Sequence, residues 1–386
     1  MKNLKFIPGN RLTLLECGSQ YSAVLESALA AARHDVLVET YIFADDSTGQ
    51  RIARALTEAA QRNIAVYLLL DGFGSRNLPK RVREAMQAAG VMILLYGPDI
   101  SPLTLRRERL RRLHRKLAVI DGSVAFVGGI NITDDNSSRI PGKSLDYAVR
   151  IEGPLAAEVR RTMALLWRRY ADVKFALRNS PRAPPSVSFQ AGDGVAVALV
   201  LRDNIRHRKD IERAYRAAID AAQNEIVLAC AYFMPGWRFR HALIKAAKRG
   251  VKVTLLLQGH TDHPLLLYAS RALYGNLLAA GVAIYEYTEG MLHAKVAVID
   301  GRWATVGSSN LDPFSLLLSR EANIVVKDER FAADLRLSLR NAIAGGAFGL
   351  ESPGWMRQAW YLRACYWLAY GVARLLVTIV GYANEY

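Results

Sequence analysis

Residues 113–131, LHRKLAVIDGSVAFVGGIN, and residues 292–310, LHAKVAVIDGRWATVGSSN, are two versions of one sentence. Both contain His-x-Lys-x-x-x-x-Asp: His114, Lys116 and Asp121 in the first copy, His293, Lys295 and Asp300 in the second. Each continues to a Gly-rich turn and an asparagine, Asn131 or Asn310. Short apolar runs on either side of Asp-Gly predict a strand–turn–strand. On a strand, residues i and i+2 share a face, so His114 projects with Lys116 and His293 with Lys295. Paired basic side chains are poor core material, so the repeat points to chemistry rather than packing.

The duplication reaches well beyond the motif. Tyr21, Val24, Leu25, Ala28, Leu29 and Ala32 follow helical spacing, and Ile211, Ala214, Tyr215, Ala218, Ile219 and Ala222 repeat the same offsets. Strands are predicted at 36–43 and 226–233, then at 64–70 and 251–257, with helices between. AAGVMILLY and AAGVAIYEY then precede the two motifs. Strands alternating with helices define an α/β fold, and runs such as VYLLL and VTLLL read as strands buried on both faces. A chain of 386 residues exceeds one ordinary core. The Pro-, Ser- and Gly-rich stretch 178–194 is the expected linker between domains at 1–177 and 195–350, followed by a tail at 351–386.

The formal net charge of +16 favours an anionic partner, nucleic acid or an anionic membrane. The three cysteines, Cys17, Cys230 and Cys365, show neither CxxC nor zinc spacing, which suits reduced thiols on the cytoplasmic side. The N-terminus lacks an apolar run of signal-peptide length. The tail holds Trp355, Trp360 and Trp367, half of the 6 tryptophans. Residues 364–383 could span a bilayer by length, but Arg374 sits near the middle at a cost of roughly 2.5–3.5 kcal/mol. Arg363 and Arg374 fall on nearly one helical face, which favours a helix lying in the membrane surface. The alternative is a helix docked on the protein's own core. Arg106, Arg107, Arg111 and Arg112 crowd the approach to the first motif and suggest a ridge for anionic lipid; a solvated basic face is the plainer reading. His260 and His263 lack further spaced ligands and read as a polar loop.

Attack on a phosphodiester anion first requires its oxygens to be neutralised, a task for Lys116 and Lys295. One histidine must then be neutral to attack phosphorus, and another protonated to release the alkoxide. One motif supplies one histidine, so the two halves must share a site, with the imidazoles titrating as a coupled pair near neutral pH. The lysines do the work a metal would otherwise do, so no metal or other cofactor is expected. Asp121 and Asp300 complete the catalytic motif at the strand ends, where they would fix the turn and the local charge rather than act as nucleophiles.

These residues resemble the phospholipase D superfamily, whose signature is HxKxxxxD followed by GGxN or GSxN. The resemblance implies two α/β/α domains related by a pseudo-twofold axis, with the site between them and a covalent phosphohistidine intermediate. It implies His114 as nucleophile and His293 as proton donor, or the reverse. It also implies a carboxylate on the following strand to orient each histidine, and Asp146 in SLDYAVR and Glu321 in SREANIVV match those positions. Within the superfamily the chain resembles bacterial cardiolipin synthases of the B type. The likeness runs through FIPGNRLTLLECGSQY, ETYIF, LLLDGFGS, RDNIRHRKDIERAY, AYFMPGWRFRHALIKAAKRGV and WATVGSSNLDPFSL, with a short N-terminus free of paired membrane helices. That likeness implies phosphatidyl transfer between two phosphatidylglycerol molecules at the cytoplasmic side of the inner membrane, the enzyme being peripheral or monotopic. A phospholipase D hydrolase, or transfer from phosphatidylethanolamine, would use the same residues. The Trp-rich apolar tail suits lipid better than nucleic acid, which disfavours a nuclease. The sequence leaves the oligomeric state open.

Overall fold

The computed structural model describes residues 4–97, 111–135, 140, 142, 144–171, 181, 194–203, 207–260, 263–312 and 319–382. Arg106, Arg107 and all of the expected linker except residues 181 and 194 lie outside the described residues.

The first half runs β1 (Ile7–Glu16), α1 (Cys17–Ala30), β2 (Asp35–Thr40), α2 (Ser47–Gln61), β3 (Ala65–Asp71), α3 (Lys80–Ala88), β4 (Met92–Tyr96), β5 (Arg112–Leu113), β6 (Lys116–Ile120), β7 (Val124–Gly128), β8 (Tyr147–Glu152) and α4 (Pro154–Tyr170). The second half repeats the plan: β9 (Val195–Arg202), α5 (Asp210–Ala221), β10 (Glu225–Cys230), α6 (Trp237–Lys248), β11 (Lys252–Gln258), α7 (Pro264–Arg271), α8 (Tyr274–Leu278), β12 (Ala283–Tyr287), β13 (Lys295–Ile299), β14 (Trp303–Gly307), β15 (Ser319–Lys327) and α9 (Glu329–Gly346). β16 (Ala347–Leu350), α10 (Ser352–Met356) and α11 (Trp360–Tyr382) complete the chain.

Among the described residues, one 16-stranded sheet runs through both halves, joined where β1 pairs with β9. Outward from that junction the strand order is β1-β8-β7-β6-β2-β3-β4 on one side and β9-β15-β14-β13-β10-β11-β12 on the other. These are equivalent strands in equivalent order, so a pseudo-twofold axis relates the halves. Strand alternation divides the core into layers. Leu117 and Val119 of β6, with Val296 and Val298 of β13, enter one core shared with α4 and α9. Ala118 and Ile120 face a core under α1, α2 and α3, and Ala297 and Ile299 face its counterpart under α5 and α6. Each half is thus a sheet with helices on both faces, the α/β/α arrangement expected.

The motif aspartates fix the turns, as expected, but do so away from the histidines. Asp121 and Asp300 adopt left-handed backbone, φ 55° and 52°, in the turns that end β6 and β13. The Asp121 carboxylate accepts the backbone N–H groups of Arg33, His34 and Asp35, the last two at 2.7 and 3.1 Å. Asp300 does the same for Gln223, Asn224 and Glu225 at 3.0, 2.8 and 3.0 Å. Each staples the entry of a parallel strand, five residues along the sheet from its lysine and so about 16 Å away. They therefore leave the catalytic set, because a strand's length separates them from the histidines.

The tail helix is both docked and exposed. Tyr366, Ala369 and Ala373 are buried along one stripe of α11, where Ala373 meets Met234, Ala269 and Leu273. Trp355 is also buried, between the rings of Tyr274 and Tyr366 at 5.2 and 5.9 Å. That packing removes it from the expected lipid contacts. Trp360 and Trp367 stay 80% and 50% exposed, beside exposed Tyr361, Leu368, Val372, Leu375 and Ile379.

Asp300→Ala should lower unfolding stability by about 1–3 kcal/mol, the cost of orphaned backbone donors, while leaving turnover per folded molecule near that of the parent. Urea unfolding read alongside activity checks this; a fully stable but inactive variant would return Asp300 to the catalytic set.

Candidate active site

Each histidine sits just before the strand that carries its lysine, and each is clasped by the opposite half. Leu113 of β5 pairs in parallel with Arg320 of β15, and the His114 N–H donates to the Arg320 carbonyl at 3.0 Å. Across the axis, Leu292 bridges Leu145, and the His293 N–H donates to the Leu145 carbonyl at 2.9 Å. The residue after each of those carbonyls is a carboxylate. His114 Nδ1 lies 3.1 Å from Glu321 Oε2, and His293 Nδ1 lies 2.7 Å from Asp146 Oδ2. The carboxylates expected from the sequence are therefore in place, but crossed: each orients the other half's histidine. With Nδ1–H directed at a carboxylate, Nε2 of each neutral ring is left with its lone pair for the reaction.

The lysines bend back onto the same loops. Lys116 Nζ donates to the His114 carbonyl at 2.9 Å, and Lys295 Nζ donates to the His293 carbonyl. Lys295 also lies 3.8 Å from Asp146. Burial lowers the Lys116 ammonium to about 7, with Lys295 adding to the fall and Glu321 opposing it. Burial pushes the His293 imidazole down to about 4, helped by Lys295 and resisted by Asp146. His114 is lowered too, by burial first, against the pull of Glu321. Both rings are therefore neutral at neutral pH, whereas the sequence suggested a pair titrating near neutrality; the difference is desolvation beside two lysines. Burial raises Glu321 and Asp146, yet the histidines, the lysines and, at Glu321, Arg202 outweigh it and hold both carboxyls below their ordinary range.

The two clasps are not identical. Ser308 Oγ donates to Glu321 Oε2, and Arg202 Nη2 donates to Glu321 Oε1 at 3.3 Å. The first half has Gly129 where Ser308 stands, and a Cβ there would lie 2.3 Å from Asp146 Oδ1. Sequence reasoning missed Ser308, Arg202 and Tyr41, whose ring packs on His114 with centroids 4.8 Å apart. The mismatch between GGIN and GSSN was the available signal for Ser308. Asn131 Oδ1 accepts the Ile42 N–H at 3.2 Å. Asn310 is buried, and its Oδ1 has no hydrogen-bond partner among the described residues. Arg112 begins β5 and Arg111 precedes it, near the first histidine.

A family described as "Cardiolipin synthase, PLD-like domain" matches residues 25–167 and 215–342, once in each half. Cardiolipin synthase B of Escherichia coli K12 is 38% identical over 97% of this chain and 90% of its own length. Cardiolipin synthase A of Erwinia tasmaniensis is 30% identical over 96% of this chain and 76% of its own. Among solved structures, phosphatidylserine synthase of Haemophilus influenzae shares the fold with a TM-score of 0.67 at 14% identity, covering 98% of this chain and 97% of that one. The chain belongs to the cardiolipin synthase family of PLD-like domain proteins, and so to the enzymes of the phospholipase D superfamily.

A bound phosphodiester anion should raise the proton affinity of the lysines and histidines around it. With Lys116 near 7, binding at pH 7 should take up about half a proton from this group alone. Because the protonated form binds the anion better, affinity should weaken as pH rises through 7. Calorimetry of a non-cleavable phosphonate analogue in buffers of different ionisation enthalpy measures this uptake; proton release would contradict it.

Proposed function

We propose that the enzyme is a phosphatidyl transferase that makes cardiolipin and glycerol from two molecules of phosphatidylglycerol. The observation that carries this reading is the pair of imidazoles, each held by a carboxylate of the opposite half beside a buried lysine. The relatives named cardiolipin synthase B, alike over nearly the full length of both chains, support the choice of substrate.

In this mechanism Lys116 and Lys295, with Asn131 and Asn310, neutralise and orient the phosphoryl oxygens. His114 Nε2 attacks phosphorus. The bond to the glycerol oxygen breaks as His293, protonated once the anion is bound, gives that oxygen its proton. His293, now neutral, then takes the proton of the primary hydroxyl of a second phosphatidylglycerol, whose oxygen displaces His114. Asp146 and Glu321 stay ionised throughout and hold the rings. Resemblance to the superfamily supports His114 as the nucleophile.

The protein works at the cytoplasmic surface of the inner membrane. Supporting this, α11 presents Leu368, Val372 and Leu375 on its outer face while the opposite stripe packs on α7. Trp360–Ile379 is long and apolar enough to cross a bilayer, but it is tied along one side to the protein and carries Arg374, which suits a helix lying in the interface.

The purified enzyme, given labelled phosphatidylglycerol in micelles without added metal, should yield cardiolipin and glycerol. Phosphatidic acid alone would indicate a hydrolase, and turnover only with phosphatidylethanolamine present would reassign the donor. His114→Ala and His293→Ala should each lower turnover by at least about 10³-fold; substantial activity in either would refute the shared site. Leu368→Asp combined with Leu375→Asp should move most of the protein out of the membrane fraction; an unchanged fraction would contradict the role of α11.

A further inference from the structure

The pseudo-twofold axis makes the exits of β3 and β11 equivalent. Asp71 ends β3 and its Oδ2 accepts the Leu113 N–H at 2.7 Å, just before His114. Gln258 ends β11 and its Oε1 accepts the Leu292 N–H at 2.6 Å, just before His293. The two exits lead into different structures. After β11 come α7 and α8, against which the tail packs with its apolar outer face exposed. After β3 the chain instead makes a tight turn, with Asp71 Oδ1 accepting the N–H groups of Phe73 and Gly74 at 3.0 and 2.9 Å.

That turn is rigid and seated beside the first histidine. A Cβ on Gly74 would fall 2.2 Å from the Tyr41 carbonyl oxygen, so only glycine lets the turn lie this close. Ser75 Oγ donates to the same carbonyl at 3.0 Å, and the Tyr41 ring packs on His114. On this seat Phe73 remains 38% exposed. Two guanidinium groups lie over its ring, Arg76 at 4.2 Å and Arg112 at 5.1 Å from the centroid. A part-exposed aromatic ring beside two cations matches an anionic lipid surface: the ring enters the acyl boundary and the cations meet phosphates.

We propose that Phe73, with Arg76 and Arg112, is a second membrane anchor, set across the active site from α11 at the equivalent level about the pseudo-twofold axis. This rests on the reading of the enzyme as one that works at a lipid surface. Two anchors on opposite lips would hold the mouth of the site flat on the bilayer, facing the phosphodiesters of its substrates. The single-sided contact of α11 would leave the molecule free to tilt.

The test is sedimentation of the full chain with vesicles of phosphatidylcholine alone and of phosphatidylcholine with phosphatidylglycerol. Turnover is measured in parallel on short-chain phosphatidylglycerol dispersed as monomers. Phe73→Ser should weaken partition into both vesicles by roughly fivefold to tenfold and leave monomer turnover unchanged, while Phe73→Trp should keep partition. Arg76→Gln should weaken partition only where phosphatidylglycerol is present. Unchanged partition for Phe73→Ser overturns the anchor and leaves the patch to another class of partner. Equal loss of partition and monomer turnover also overturns it, because Phe73 would then act through Tyr41 and His114. If the unsubstituted enzyme does not turn over phosphatidylglycerol at all, the transferase reading fails, and the partition comparison still decides the anchor.

Discussion

Two backbone hydrogen bonds, from the His114 N–H to the Arg320 carbonyl and from the His293 N–H to the Leu145 carbonyl, tie each catalytic loop to the other half of the molecule. The carboxylate that fixes each imidazole is the next residue along that borrowed segment. Neither half can therefore orient its own histidine. Docking of the halves and assembly of the site are one event, and the shared core beneath α4 and α9 stabilises both. The same closeness buries four cationic or potentially cationic groups together, which drives His293 and Lys116 toward their neutral forms.

Most of the fold was legible because the duplication wrote it twice. The expected strands at 36–43 and 226–233 fall on β2 and β10, and those at 64–70 and 251–257 on β3 and β11, with boundaries shifted by a few residues at most save where Phe43 and Phe233 leave the strand as isolated bridges. Period-2 and period-3.6 patterns are local, so sequence carries them. The crossing of Asp146 and Glu321 is a long-range fact: each lies on the strand after its own motif, and only the packing of halves hands it to the other. The separation of Asp121 and Asp300 from the site could have been read from strand length alone, since a motif contiguous in sequence is spread along a strand. Trp355 misled because composition marks tryptophan for interfaces, whereas burial depends on the neighbours Tyr274 and Tyr366.

The places where the copies differ are as informative as those where they agree. Ser308 and Arg202 brace Glu321, while Gly129 leaves room for Asp146. The two histidine–carboxylate pairs thus sit in unlike surroundings. At the strand exits the copies diverge again, one carrying α7 and the tail packed on it, the other the Phe73 turn.

The crossed clasp is tested most directly by histidine-selective NMR titration of the full chain, with its 7 histidines, in Glu321→Gln and Asp146→Asn. Loss of Glu321 should perturb the His114 ring and lower its proton affinity while leaving His293 nearly unmoved, and loss of Asp146 should do the converse. If Glu321→Gln instead moves His293, or if each carboxylate reports on the histidine of its own half, the crossed arrangement is wrong.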